Sequence, residues 1–263
     1  MVDGNALSCA RSSSRGGGVM KLGIISDIHS NIEALTTVLA WCDKNAIDEI
    51  ICLGDIVGYG PDPNPACKLV RENCSVTLMG NHDAAVIGVM DIDYYYDAAR
   101  EAIFWTRQQL TDDNFQWLYG RPYSHLRETA GFFHAAPANP FNWHYVVRVQ
   151  DAMKHNGPIY ERLRTWSFVG HSHLTKQFAI NGKRVKDVSD KELTARPDRK
   201  FLINVGSVGQ PRDRDPRLCF GVFDTEEQTF RHERLPYDIE AVAHKIIGAG
   251  LADKFARRLF VGQ

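Results

Sequence analysis

The chain has 263 residues, 44% of them hydrophobic, enough to bury a full core as one large α/β domain or one domain with a small appendage. Its 31 basic residues against 32 acidic give a formal charge of -1, without the basic excess of a protein that grips an extended nucleic acid. The longest apolar runs fall far short of the roughly 20 residues that a bilayer span requires, so neither a nucleic-acid nor a membrane partner is expected.

Residues 1–19 are rich in Ser and Gly and lack the apolar core of a secretory signal. They are expected to be a disordered leader, with one folded domain running from Met20 to the end. The six cysteines (Cys9, Cys42, Cys52, Cys67, Cys74 and Cys219) form no CxxC pair and no framework spacing. They read as reduced, structural residues of a cytoplasmic protein.

From Met20 onward, short apolar runs recur at 21–26, 49–53, 75–79, 131–133, 166–169 and 201–205. They are near-continuous rather than alternating, which suits strands covered on both faces. Ser30-Asn31-Ile32-Glu33 has capping-box spacing, followed by Ile32, Leu35, Val38, Leu39 and Cys42 on one helical face. Pro65 is placed to open a second helix ending near Asn73. This alternation of strand and helix predicts a parallel-rich sheet. Residues 84–122 break the rhythm as a helical insertion or cap. A hairpin is expected at 218–223 and 229–235, then a helical segment from about 238 to the end. That segment places Ile239, Val242, Ile246 and Ile247 on one side, to pack on the core or on a second copy in a homo-oligomer.

Each of the six runs ends on polar residues: Asp27-Ile28-His29, Gly54-Asp55, Gly80-Asn81-His82-Asp83, His134, Gly170-His171-Ser172-His173 and Gly206-Ser207. In open α/β sheets ligands bind beyond the carboxyl ends of strands, so six strand ends converge on one rim. Extended backbone would point Asp27 and His29, or His171 and His173, the same way. The glycines at 54, 80 and 170 would let the chain turn tightly. Two Asp, one Asn and four His suit Mn, Fe, Zn, Co or Ni rather than Ca. Seven ligands exceed one tetrahedral ion and suit two divalent ions, Mn2+ first among them. Two such ions clamp the attacking and leaving oxygens of a phosphoryl displacement and activate water near pH 7.

The ordered set DxH, GD, GNHD, H, GHxH over 20–210 resembles the calcineurin-like metallophosphoesterase superfamily. That resemblance implies an α/β fold with a central β-sandwich of mixed sheets flanked by helices, four layers in the order αββα, plus the small helical insertion. It implies one metal held by Asp27, His29, Asp55 and His173, and a second held by Asp55, Asn81, His134 and His171. His82 would bind the phosphoryl oxygen or protonate the leaving group, oriented by Asp83.

Protein phosphatases and symmetrical dinucleoside tetraphosphatases of this family carry an Arg shortly after the GD motif, where this chain has Gly58-Tyr59-Gly60. The run from Gly54 to Pro63, with Gly206-Ser207-Val208-Gly209-Gln210-Pro211-Arg212, is similar to the small bacterial and archaeal phosphodiesterase branch. That branch implies action on a small phosphodiester or a dinucleoside polyphosphate. Arg212 is proposed to replace the missing Arg, with Asn31 and Tyr59 as further substrate-binding residues. A phosphomonoesterase, a protein phosphatase or a non-catalytic interaction module on the same fold are the alternatives. The complete ligand set and His82 favour the enzyme. His125, His144, His155, His232 and His244 read as ordinary surface or core residues. Phe141, Trp143, Tyr145 and Tyr94, Tyr95 and Tyr96 read as core or cap packing, with nucleobase stacking as the other reading.

Overall fold

The short apolar runs form strands, and they divide between two sheets. The computed structural model of the protein describes residues 20–189 and 191–263; the expected leader lies outside them. The strands are β1 (Lys21–Ile25), β2 (Glu49–Cys52), β3 (Val76–Thr77), β4 (Ser124–Leu126), β5 (Ala130–Phe133), β6 (Trp166–Val169), β7 (Thr175–Ile180), β8 (Val185–Asp187), β9 (Leu193–Thr194), β10 (Lys200–Val205), β11 (Leu218–Asp224) and β12 (Thr229–Leu235). One six-stranded sheet runs β3-β2-β1-β11-β12-β9 and the other β4-β5-β6-β10-β7-β8. Within the first, β1, β2 and β3 are parallel; within the second, β5, β6 and β10 are. The remaining pairings are antiparallel, including the expected hairpin β11–β12. The single parallel-rich sheet is therefore corrected to two mixed sheets, as the family resemblance implies.

The division follows from the side chains. Leu22 and Ile24 on β1, Ile51 on β2, Phe132, Trp166 and Phe168 on β5 and β6, and Phe201, Ile203, Phe223 and Phe230 interlock as the apolar layer between the sheets. Trp166 is wholly buried there, stacked on Phe201 at 4.8 Å, and its indole N–H donates to Gln228 Oε1 at 2.9 Å. Trp166→Ala should cost about 3–5 kcal/mol of the roughly 5–15 that a domain holds. Urea unfolding checks this; a loss below about 1 kcal/mol would show that the inter-sheet layer is not the stabilising core.

Helices cover both outer faces. α1 (Ile32–Lys44) and α2 (Pro63–Asn73) lie on the first sheet, burying Leu35, Val38, Cys42, Ala66, Cys67 and Val70. Two helix starts differ from expectation. Asn31, not Ser30, caps α1, its Oδ1 accepting from Ala34 N–H at 3.0 Å, and α2 begins at Pro63, two residues before Pro65. α3 (Asn81–Val86) leads into the 84–122 insertion, which holds α4 (Asp97–Gln109) and α5 (Asp112–Tyr119). α6 (Val149–Met153) lies over the second sheet, where Ala152 joins the apolar cluster of Phe178 and Leu202. At the C-terminus, α7 (Ile239–Gly248) and α8 (Asp253–Leu259) pack Val242, Ile246 and Phe255 against Tyr59, Ala99 and Ala102. Ile247 stays exposed. Cys42, Cys52, Cys67, Cys74 and Cys219 are free thiols, four of them buried. No helix among the described residues is long and apolar enough to cross a membrane.

Candidate metal centre and active site

The parallel strands β1, β2 and β3 end beside β5, β6 and β10 of the other sheet. The polar residues that follow them therefore meet where the two sheets abut. The loops are stitched together by backbone bonds: Asp27 N–H donates to Gly54 O, Ile28 and His29 N–H to Asp55 O, Gly209 N–H to Asp27 O and Gly170 N–H to His134 O. The expected extended geometry of the DxH and HxH pairs is not what forms. Asp27, His29, Asp55, His171 and His173 all have positive φ, between 49° and 68°. This left-handed backbone costs an L-residue about 1–2 kcal/mol, and such strain concentrates at functional sites.

Of the three glycines expected to turn the chain, only Gly54 has positive φ, at 107°. Gly80 and Gly170 are needed for space. A Cβ on Gly80 would lie 2.1 Å from Asp55 Oδ1, and one on Gly170 would lie 1.9 Å from Ser26 Oγ.

The structure brings together all seven expected ligand residues, every one buried. Asp27, His29, Asp55 and His173 form one group that could hold a metal ion, and Asp55, His134 and His171 form another. Asn81 Oδ1 lies 3.1 Å from His134 Nε2. Asp55 belongs to both groups through one oxygen: its Oδ2 is 3.6 Å from His29 Nε2 and 3.5 Å from His134 Nε2. Its other oxygen accepts from His82 N–H at 2.8 Å.

The ring nitrogens are assigned by their acceptors. Nδ1 of His29, His134 and His173 faces the backbone carbonyls of Val57, Leu53 and Gln210 at 3.2, 3.1 and 2.6 Å. A carbonyl only accepts, so each Nδ1 carries a proton, and in the neutral ring Nε2 offers a lone pair. His171 is reversed, with Nε2 on Trp143 O at 2.8 Å, so Nδ1 is the nitrogen it has to offer. Burial first, and Arg212 nearby, hold His173 well below the usual histidine range, while burial also pushes His29 well down and His171 to about 3. These are neutral imidazoles, the form in which a histidine ligates. Burial lowers His134 too, but Asp55 outweighs it and brings His134 up to about 9.

Residues 20–228 match the calcineurin-like phosphoesterase superfamily domain. The chain belongs to the calcineurin-like phosphoesterase superfamily. It is 35% identical over 248 residues to the uncharacterised protein MJ0912 of Methanocaldococcus jannaschii, covering 92% of this chain and 98% of that one. A metallophosphoesterase structure from Sphaerobacter thermophilus is 32% identical and covers 94% of this chain and 100% of that one, with a TM-score of 0.80. The hypothetical protein PH1004 of Pyrococcus horikoshii shares the fold at 17% identity, with a TM-score of 0.74 over 93% of this chain and 99% of that one.

The side chains of this phosphoesterase fit divalent ions on their own chemistry. His29 and His173 present their Nε2 lone pairs to each other at 3.1 Å, which repels unless a cation lies between them. Ligands bonded at about 2.1 Å and at right angles stand about 3 Å apart, so the spacing is that of a coordination shell. Asp27 Oδ1 is buried without a hydrogen-bond partner and 3.3 Å from His173 Nε2. Burial raises the Asp27 carboxyl to about 7, a cost that a neighbouring cation removes. Asn81 Oδ1 faces His134 Nε2 at 3.1 Å, beside the same Asp55 oxygen.

Asp83 sits otherwise than expected. Its Oδ1 accepts from Ile56 and Val57 N–H at 2.9 and 3.1 Å, and its Oδ2 from Gly80 N–H at 3.1 Å. It organises the loop after Asp55 and makes no bond to His82, whose buried Nδ1 has no hydrogen-bond partner. His82 is positioned by rings instead: Tyr59 at 4.4 Å, His29 at 4.9 Å and Tyr95 at 5.1 Å.

Asn31 also holds the loops of the site together. Besides capping α1, its Nδ2 donates to Gly209 O at 2.9 Å, which ties α1 to the loop after β10. Arg212 N–H donates to His173 O at 3.1 Å and its guanidinium lies 5.7 Å from the Tyr59 ring. Both Arg212 and Tyr59 therefore border the ligand cluster. Asn204 braces the GHSH loop through Gly170 O and Ser172 Oγ, both at 2.6 Å.

Three contributors lie among the clustered aromatics. Tyr95 accepts from Asn81 Nδ2 at 2.5 Å, Trp143 supplies the carbonyl that orients His171, and Tyr145 stacks on His171 at 4.0 Å between centroids. They come from the insertion and from the loop after β5. Only the clustering of aromatics in both segments hinted at a role, and packing was the simpler reading.

Proposed function

We propose that this phosphoesterase is a two-metal phosphodiesterase acting on a small, nucleotide-like phosphodiester or dinucleoside polyphosphate, with Mn2+ as the favoured ion. The observation that carries the reading is the single oxygen Asp55 Oδ2, equidistant within 0.1 Å from ligands of both groups. A carboxylate so placed can be shared by two ions. Bound there, divalent ions would supply an activated water and neutralise charge on the phosphoryl group in flight. Arg212 would grip a phosphate oxygen, replacing the Arg absent after the GD motif. His82, at the rim of the cluster, would donate a hydrogen bond to the phosphoryl group.

Two features favour a small diester over a phosphoprotein. Every ligand is buried, and Tyr59, Tyr95, Trp143 and Tyr145 crowd the cluster, leaving little room for a folded protein surface. The half-exposed Tyr145 offers a ring to a nucleobase. The intact ligand set weighs against a non-catalytic module.

The test is hydrolysis of bis-p-nitrophenyl phosphate beside the monoester, by metal-stripped protein resupplied with Mn2+. Mn-dependent turnover of the diester is expected. Turnover of the monoester alone would make the protein a phosphatase, and none with any divalent ion would return it to an interaction module. Arg212→Ala should raise KM about tenfold or more, the worth of a charge-assisted hydrogen bond, with little effect on fold. An unchanged KM would remove Arg212 from the substrate site.

A further inference from the structure

Arg258 lies in the last turn of α8, 48 residues beyond Gln210, yet its Nη1 donates to Gln210 Oε1 at 3.1 Å. Arg212 Nη2 donates to the same oxygen at 2.7 Å. Gln210 is itself buried, and its backbone carbonyl accepts from His173 Nδ1. Two guanidinium charges thus share one neutral amide oxygen beside a metal-ligand histidine. Among the described residues neither arginine forms an ion pair, whereas Arg71, Arg127 and Arg234 each find a carboxylate. Nε of Arg212 and Nε of Arg258 are both buried with no hydrogen-bond partner. Both side chains are partly buried, where a cation without counter-charge loses hydration, and buried N–H groups are normally satisfied.

The helix end does not account for the arrangement. A basic residue favours the carbonyl end of a helix dipole, but the exposed Arg257 already serves α8 in that way. Arg258 turns inward instead, 5.6 Å from the Phe255 ring, while Phe255 packs at 4.9 Å on Tyr59 and Tyr59 on His82. A cavity of about 10 Å³, lined by His29, Tyr59, Gln210 and Leu259, joins the ligand cluster to α8. The C-terminal helix is therefore part of the site's wall.

We infer that Arg212 and Arg258, joined through Gln210, form a dibasic cradle for a second phosphoryl group of the substrate, next to the one presented to the metal ligands. The inference rests on the phosphoester hydrolase reading above and narrows it: the substrate carries a diphosphate or longer phosphate chain. Planar guanidinium forks with free N–H groups match phosphate oxygens, and a phosphate would supply the counter-charge that the chain does not.

The test is titration calorimetry of methylenediphosphonate, which cannot be hydrolysed, and of inorganic phosphate. Both are titrated into the full-length Mn2+-loaded protein dialysed free of excess metal. Wild type should bind the diphosphonate at least about tenfold more tightly than phosphate. Arg258→Gln should erase most of that preference, Arg258→Lys should erase part of it, and Arg257→Gln on the same helix should keep it. Equal affinity of wild type for the two anions overturns the cradle without any variant. So does an unchanged preference in both Arg258 variants. Turnover of bis-p-nitrophenyl phosphate by wild type separates the two failures, since a working diesterase with no diphosphonate preference refutes the cradle alone.

Discussion

Asp55→Asn is expected to reduce both metal content and diester hydrolysis, the latter by about a thousandfold or more, equivalent to about 4 kcal/mol of transition-state stabilisation. The substitution keeps the size of the side chain and the oxygen that accepts from His82 N–H, so the loop after β2 should hold its shape. What is lost is the charged oxygen that stands between His29 and His134. Elemental analysis after dialysis against metal-free buffer reads the first effect, and kcat/KM on bis-p-nitrophenyl phosphate reads the second. Wild-type metal content together with wild-type turnover would show that Asp55 is not the shared ligand. Full metal content with lost turnover would place its role in the chemistry rather than in holding ions.

His82→Ala should lower kcat by about 10²–10³-fold, and by a similar factor for good and poor leaving groups. The expectation follows from the environment of the imidazole. Burial, with Arg212 adding to it, pushes His82 down to about 4 against the pull of Asp55, and a divalent cation nearby would push the same way. His82 is then neutral at pH 7 and acts by donating a hydrogen bond to the phosphoryl oxygens. Proton delivery to the leaving group is the other role the family resemblance implies. It would make the loss small for nitrophenolate, which departs without a proton, and large for an alkoxide. Comparing p-nitrophenyl and alkyl diesters with the variant decides between the two, and a uniform loss supports the hydrogen-bond role.

The legible part of the site was its polar punctuation. Six apolar runs each end on Asp, His, Asn or Gly, and the first five of them carry the expected ligands in the order of the superfamily motifs. Burial then makes neutral imidazoles of His29, His171 and His173 and brings Nε2 of His29 and His173 close together. Less legible were groups whose function depends on what they touch. Asp83 follows His82 in sequence and was expected to orient it, yet the turn into α3 points its carboxylate at the amides of Ile56, Val57 and Gly80. Asn31 caps α1 and donates to the loop after β10, a bond that no local pattern announces. The split into two sheets was equally hidden. Apolar runs covered on both faces look alike whether helices cover both sides or a second sheet covers one.

The sequence by itself determined the ligand chemistry, the order in which the ligands follow strands and the superfamily, because these depend on residue types at fixed local spacings. Tertiary structure alone decided which oxygen of Asp55 stands between His29 and His134, that five of the expected ligand residues adopt left-handed backbone, and that Arg258 arrives beside Arg212. The first and the last are contacts between segments distant in the chain, and the second is held by backbone bonds between such segments. No local propensity encodes such a contact, and it forms only when the two sheets close on a common apolar layer and draw the loops at their ends together.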